Sequence, residues 1–90
     1  MTQRKTIYDV LKILSRLDPK RMYRRIEIVD ILLSEGFTYN SAHMFIRQLA
    51  KDGFLIRVIY GAYYINLDKI KKEIEEIERK KEKIKEKILA

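Results

Sequence analysis

Residues 26–56 read IEIVDILLSEGFTYNSAHMFIRQLAKDGFLI, and the fold turns on how this stretch divides. Its first part is apolar and ends at Gly36, a residue suited to closing a helix. A tight connection, Phe37-Thr38-Tyr39-Asn40, follows, with the Thr38 hydroxyl placed to cap the next segment. Ala42, Phe45, Ile46 and Leu49 then recur at helical spacing, which predicts a helix over 39–52 with those four inward and Gly53 as its stop. Phe54 opens a change of character: FLIRVIY, then Gly61-Ala62, then YYINL. Two β-branched and aromatic runs around a glycine predict a short hairpin.

Before this stretch, residues 6–17 carry apolar side chains at 7, 10, 11, 14 and 17, a helical stripe. Thr6 with Asp9 three positions later reads as a capping box in which Asp replaces the usual Glu. Asp18-Pro19 ends the helix, because the residue before proline is pushed out of the α region. The next helix is predicted over 24–35, with Ile26, Val29, Leu32 and Leu33 inward.

After the hairpin, Asn66 or Asp68 caps a long final helix. Ile70, Ile74, Ile77, Ile84 and Ile88 recur in the 3-4 rhythm of a coiled-coil seam. A single helix of this kind cannot bury its stripe alone, so a second copy of the chain is the expected partner. The dimer interface would comprise Ile70, Ile74, Ile77, Lys81, Ile84 and Ile88. A parallel pair would set Glu73 against Glu78, Lys80 against Lys85, and Lys81 against Lys81. Reversing one helix brings Glu73 to Lys80 and Lys71 to Glu78, so an antiparallel coil is predicted. The competing arrangement folds the helix back onto its own domain, burying the isoleucines against Ile7 and Val10.

Ninety residues make one small domain with an appendage. With no cysteine, disulfides, thiolate metal sites and cysteine nucleophiles are all excluded. No apolar run reaches the roughly 18–20 residues of a membrane span, and no signal-type segment opens the chain, so a soluble cytoplasmic protein is expected. Fourteen isoleucines, with abundant Lys, Glu and Arg, give the chain a thermophilic composition. The net charge is +7; residues 1–67 hold 11 Lys/Arg against 6 Asp/Glu, whereas residues 68–90 hold 9 against 7. The basic bias therefore sits in the N-terminal two-thirds, which suggests a polyanionic partner, nucleic acid being the commonest.

The order helix, helix, tight turn, helix, hairpin, long helix resembles the winged helix-turn-helix DNA-binding family. The likeness covers residues 6–67: an apolar helix, a glycine, a capping hydroxyl, a small residue inside the third helix, and the L-x-x-x-G-apolar-apolar exit. Small regulators of archaea and their viruses, and archaeal chromatin proteins with a C-terminal coil, share this layout. The fold class it implies is mainly α with a small β-hairpin (α+β). Residues 1–67 would be the DNA-binding domain, and residues 68–90 the dimerisation helix of an antiparallel coiled coil.

The resemblance places the third helix in the major groove of double-stranded DNA, led by Asn40, Ser41, His43, Met44, Arg47, Gln48 and Lys51. Arg47 is the best candidate for a base contact, since its planar fork matches guanine O6 and N7. Asn40 and Gln48 suit adenine or phosphate, and Met44 a thymine methyl. Lys20, Arg21, Arg24 and Arg25, at the start of the second helix, and Arg57 in the hairpin would meet the phosphate backbone. The wing departs from the family pattern, because its tip holds Tyr60 and Tyr63 where Lys or Arg is usual. His43, the only histidine, stands by no metal-ligand spacing and is expected to face solvent or phosphate. Neither a cofactor nor a small-molecule ligand is indicated.

The leading expectation is a homodimeric, sequence-specific DNA-binding protein, a transcriptional regulator repressing by occupancy, in the cytoplasm or nucleoid of its cell or host. An architectural, chromatin-type protein and a winged protein-interaction module are the alternatives. Catalysis is the least expected class, as there are no paired carboxylates, glycine-rich phosphate loop or nucleophile arrangement.

Overall fold

The computed structural model describes the backbone of residues 5–89 and the side chains of residues 5–83. The order of elements is α1 (Ile7–Leu14), β1 (Tyr23–Arg24), α2 (Arg25–Ser34), α3 (Tyr39–Lys51), β2 (Leu55–Ile59), β3 (Ala62–Ile65) and α4 (Leu67–Leu89). This is a small α+β fold in which the helices pack against a three-stranded antiparallel sheet of order β1-β3-β2. Among the described residues, no helix is long and apolar enough to cross a membrane.

The helix boundaries follow local chemistry. At the start of α1 the Asp9 carboxylate accepts from the Thr6 backbone N–H at 2.8 Å and from its hydroxyl at 3.1 Å. In α2 the Glu27 carboxylate plays the same part for the Arg24 N–H at 3.1 Å. The Thr38 hydroxyl accepts from the Ser41 N–H at 3.2 Å, fixing the first turn of α3. Gly36 and Gly53, with φ of +92° and +86°, take the left-handed turns that end α2 and α3.

The core draws on every helix. Val10, Leu11 and Leu14 of α1, Ile28, Val29 and Leu32 of α2, and Ala42, Ile46 and Leu49 of α3 are fully buried together. The predicted inward face of α2 needs correction. Ile26 is 57% exposed and Leu33 also reaches solvent, while Ile28 takes the core position. The run I-x-I-V-x-I-L-L spreads apolar side chains over more than half of the helix circumference, so several rotations bury most of them.

Strand β1 lies inside the basic stretch that leads into α2, and it takes Arg24, expected as the first helical residue. Tyr23 aligns with Tyr63 and Arg24 with Ala62, which makes β3 the central strand. In the hairpin, Leu55 aligns with Ile65, Ile56 with Tyr64 and Arg57 with Tyr63. The register then shifts before Ile59 meets Ala62, leaving Val58 as a bulge. Tyr63 is therefore not at the wing tip: it is only 5% exposed, in the middle of the sheet.

The largest correction concerns α4. Ile70, the first layer of the expected dimer seam, is 0% exposed within its own domain's core, and Ile74 and Ile77 pack partly buried against that core. Asn66 anchors the start of α4: its amide donates to the Gly53 carbonyl at 3.0 Å, and its backbone N–H to the Phe54 carbonyl at 2.9 Å. Lys69 Nζ adds a hydrogen bond to the Asp52 carbonyl. Farther along, the Tyr8 hydroxyl donates to Glu78 Oε1 at 2.8 Å, and Lys81 Nζ lies 4.1 Å from the centre of the Tyr8 ring. Lys81 thus meets an aromatic face of its own chain instead of a coiled-coil layer. An intramolecular partner of this kind escapes the translational and rotational cost of association. Ile84 and Ile88 lie outside the described side chains.

Two outcomes follow from this packing. Ile70→Ala should destabilise the domain by about 2–5 kcal/mol, the usual cost of truncating a fully buried isoleucine. A free arm would instead leave thermal unfolding unmoved by the same change. The hydrogen bond to Glu78, then partial desolvation and the nearby carboxylate charges, raise the Tyr8 phenol above its ordinary 10.0. A group raised in the folded state contributes fully below its unfolded value and loses that contribution as pH climbs through the folded one. The gap in melting temperature between the native chain and Tyr8→Phe should therefore shrink as pH rises past 10.0. A gap independent of pH would rule out a contribution from that hydrogen bond.

Candidate nucleic-acid interface

Helix α3 lies with Ala42, Phe45, Ile46 and Leu49 buried, and this fixes which side chains face out. Phe37 braces it from the preceding turn, its ring edge-on to Phe45 at 5.8 Å. Asn40, Met44, Arg47, Gln48 and Lys51 are exposed, whereas Ser41 and His43 are half-buried. The 13 residues of α3 include no Asp or Glu, so its outward face carries only positive formal charge.

The basic cluster at the start of α2 divides into free and committed groups. Lys20 and Arg24 are exposed. Arg21 is paired, Nη2 to Glu27 Oε2 at 2.5 Å, and its guanidinium also sits 4.7 Å from the centre of the Tyr23 ring. Arg25 turns inward. Its Nε donates to His43 Nδ1 at 3.0 Å, Nη1 to the Tyr63 hydroxyl at 3.3 Å, and Nη2 to the His43 carbonyl at 3.4 Å. One guanidinium thus ties α2 to α3 and to the central strand. Arg25 and His43, expected at phosphate or in solvent, meet each other.

The imidazole of His43 is enclosed on its other side. The Tyr39 ring lies against it edge-on, centroids 4.4 Å apart, and His43 Nε2 is buried without a hydrogen-bond partner among the described residues. Tyr39 is a site residue that sequence reasoning missed. Its signal was its position next to the capping Thr38, which puts it one turn before His43 on the same helix face. A cleft of about 390 Å³ opens here, lined by Arg25, Tyr39, Asn40, His43, Met44 and Arg47. A second, of about 690 Å³, lies on the other side of α3, with Lys5, Phe37, Ser41, Met44 and Gln48 among its walls.

The β2–β3 hairpin presents a different surface. Ile56, Val58, Ile59 and Tyr60 are all exposed, Tyr60 to 92%. Arg57 is the only charged side chain in the hairpin, and its guanidinium lies 5.2 Å from the centre of the Tyr60 ring. Gly61, with φ of +76°, permits the tight tip, and its carbonyl accepts from the Arg25 N–H at 2.9 Å. Among the described residues, no cluster of three His, Cys, Asp or Glu side chains forms that could hold a metal ion. No family model, curated protein or solved structure matches the chain.

The Arg25 tie can be tested by keeping its charge and removing its fork. Arg25→Lys should lower stability in chemical denaturation by about 1.5–3 kcal/mol, the range for hydrogen bonds made by a charged group. An unchanged midpoint would mean that the three contacts contribute nothing net.

Proposed function

We propose that this chain is a double-stranded DNA-binding protein of winged helix-turn-helix type, acting as a transcriptional regulator by occupying its site. The observation that carries the reading is the outward face of α3, polar, free of carboxylates and held rigid by the buried face behind it. Laid in the major groove, the helix would offer Arg47 to guanine, Asn40 and Gln48 to adenine or phosphate, and Met44 to a thymine methyl. Lys20, Arg24 and Lys51 flank it as phosphate contacts. The order α2, Gly36 turn, α3 and the packing of β2 against α3 support the same family reading.

Dimerisation enters this proposal in reduced form. Ile70, Ile74 and Ile77 are engaged by their own domain, so the described part of α4 supports one module per binding event. What stands of the coiled-coil reading is the segment after Lys81. A lone module buries about 600–1,000 Å² of protein surface on DNA, which implies modest affinity. Selection of duplexes from a random pool should therefore return a single short motif, whereas a recovered inverted repeat would restore the dimer.

A second reading, a winged protein-interaction module, is favoured by the apolar surface of β2, where Ile56, Val58 and Ile59 face solvent. Mutations separate the two. Arg47→Ala should weaken duplex binding by about 1–3 kcal/mol and relax preference at one base pair. Lys51→Ala should weaken all duplexes alike and reduce the salt slope by about one. Fluorescence anisotropy across a salt series reads both effects. Charge reversal at Arg24 and Arg47 that left duplex affinity intact would hand the function to the protein-interaction module.

A further inference from the structure

We infer that the cleft between the start of α2 and the outward face of α3 is a built site for one phosphate-type oxyanion, with His43 Nε2 as its central donor and Tyr39 as its movable cover. The inference rests on the DNA-binding reading and deepens it: the oxyanion would be a phosphodiester of the duplex backbone.

Hydrogen accounting leads there. Arg25 Nε–H donates to His43 Nδ1 at 3.0 Å, so Nδ1 must present its lone pair. The network therefore assigns the proton of the neutral imidazole to Nε2, making that atom a donor. Nε2 is buried and meets no acceptor among the described residues. Native proteins pair nearly all such donors. The walls of the cleft offer it no carboxylate, and the charged groups there are Arg25 and Arg47. Arg25 has committed three of its five N–H groups, leaving two. An anionic oxygen is the acceptor these groups suit in common, whereas a ligand that is mainly a donor would repeat the chemistry already present.

Access runs past Tyr39. Its ring shields the imidazole edge-on, yet the residue is 59% exposed at the first position of α3. Rotation of such an exposed side chain is fast and would open that side of the imidazole without moving the backbone. Arg25, by contrast, is fixed by the Tyr63 hydroxyl and the His43 carbonyl, so the donors are positioned before the anion arrives. A contact of this kind would set the register of α3 on the duplex and carry no base preference.

The chain contains a single histidine, so its imidazole nitrogen signals can belong only to His43. The experiment follows them by ¹⁵N NMR in the full chain during titration with inorganic phosphate, with a short duplex, and with sodium chloride at matched ionic strength. Saturable movement of the Nε2 signal with duplex, beyond the chloride control, is expected. Movement with inorganic phosphate but no duplex binding would keep the oxyanion site and sink the DNA reading. Duplex binding by anisotropy with Nε2 silent to both would overturn the site and leave the DNA reading standing. Silence of Nε2 without duplex binding would overturn both. His43→Phe should weaken duplex binding about tenfold while leaving the salt slope unchanged, because a neutral donor releases no counterion. His43→Gln, which keeps an amide donor, should recover part of that loss. Equal loss in both variants with an unchanged fold would also overturn the site.

Discussion

The rotation of α3 about its axis governs what the rest of the molecule can do. Four buried side chains set it: Ala42, Phe45, Ile46 and Leu49. A change of phase by one residue would turn each side chain about 100° and carry Arg47 toward the core. Thr38 fixes where the helix begins and Gly53 where it stops, so neither slippage nor extension relaxes the phase. Arg25 adds a lateral restraint, since its guanidinium grips the His43 ring and carbonyl and the Tyr63 hydroxyl at once. The outward face is thus a consequence of packing behind it, and its charge is a consequence of the absence of carboxylates from 13 consecutive residues.

Helix α4 shows how one apolar stripe can satisfy two architectures. The isoleucine rhythm states which side must be covered and leaves the cover unspecified. Two copies meeting along it would gain oppositely charged flanking pairs, each contributing only a few tenths of a kcal/mol when exposed. Folding back buries Ile70 completely, engages Ile74 and Ile77, and adds the Tyr8–Glu78 hydrogen bond, all without association entropy. Either architecture buries isoleucine side chains, a larger gain than several surface ion pairs, so the two differ chiefly in the cost of association. Charge complementarity speaks to how two helices would be oriented, and is silent on whether a second helix covers the stripe.

The sequence made α3 readable because its caps, its apolar spacing and its polar face all agree on a single phase. It left the rotation of α2 loosely marked, since Ile26, Ile28, Val29, Ile31, Leu32 and Leu33 span a wide arc and only Glu27, Asp30 and Ser34 mark the polar side. Strand β1 has two residues and so no alternation to detect. The inward turn of Arg25 lay beyond reach for a different reason. Four basic residues cluster at 20–25, and local spacing cannot say which of them finds a partner 18 or 38 positions away. Position in a charge cluster gives composition, while the partner comes only from the tertiary fold.

This sorting bears on how a duplex would be held. Of the basic side chains at the start of α2, Arg25 spends three of its five N–H groups inside the protein and Arg21 leans on Glu27 and Tyr23. Lys20 and Arg24 remain on that side, with Arg47 and Lys51 on α3. The hairpin contributes Arg57 alone, over the Tyr60 ring, beside exposed Ile56, Val58 and Ile59. Counterion release scales with the phosphates actually neutralised, so on the proposed reading the electrostatic grip would be concentrated on the α2–α3 side and weak at the hairpin. A symmetrical clamp of helix and wing is therefore not what this surface offers. It offers one charged, preorganised edge and one apolar edge, and the apolar edge is chemically suited to protein more than to phosphate.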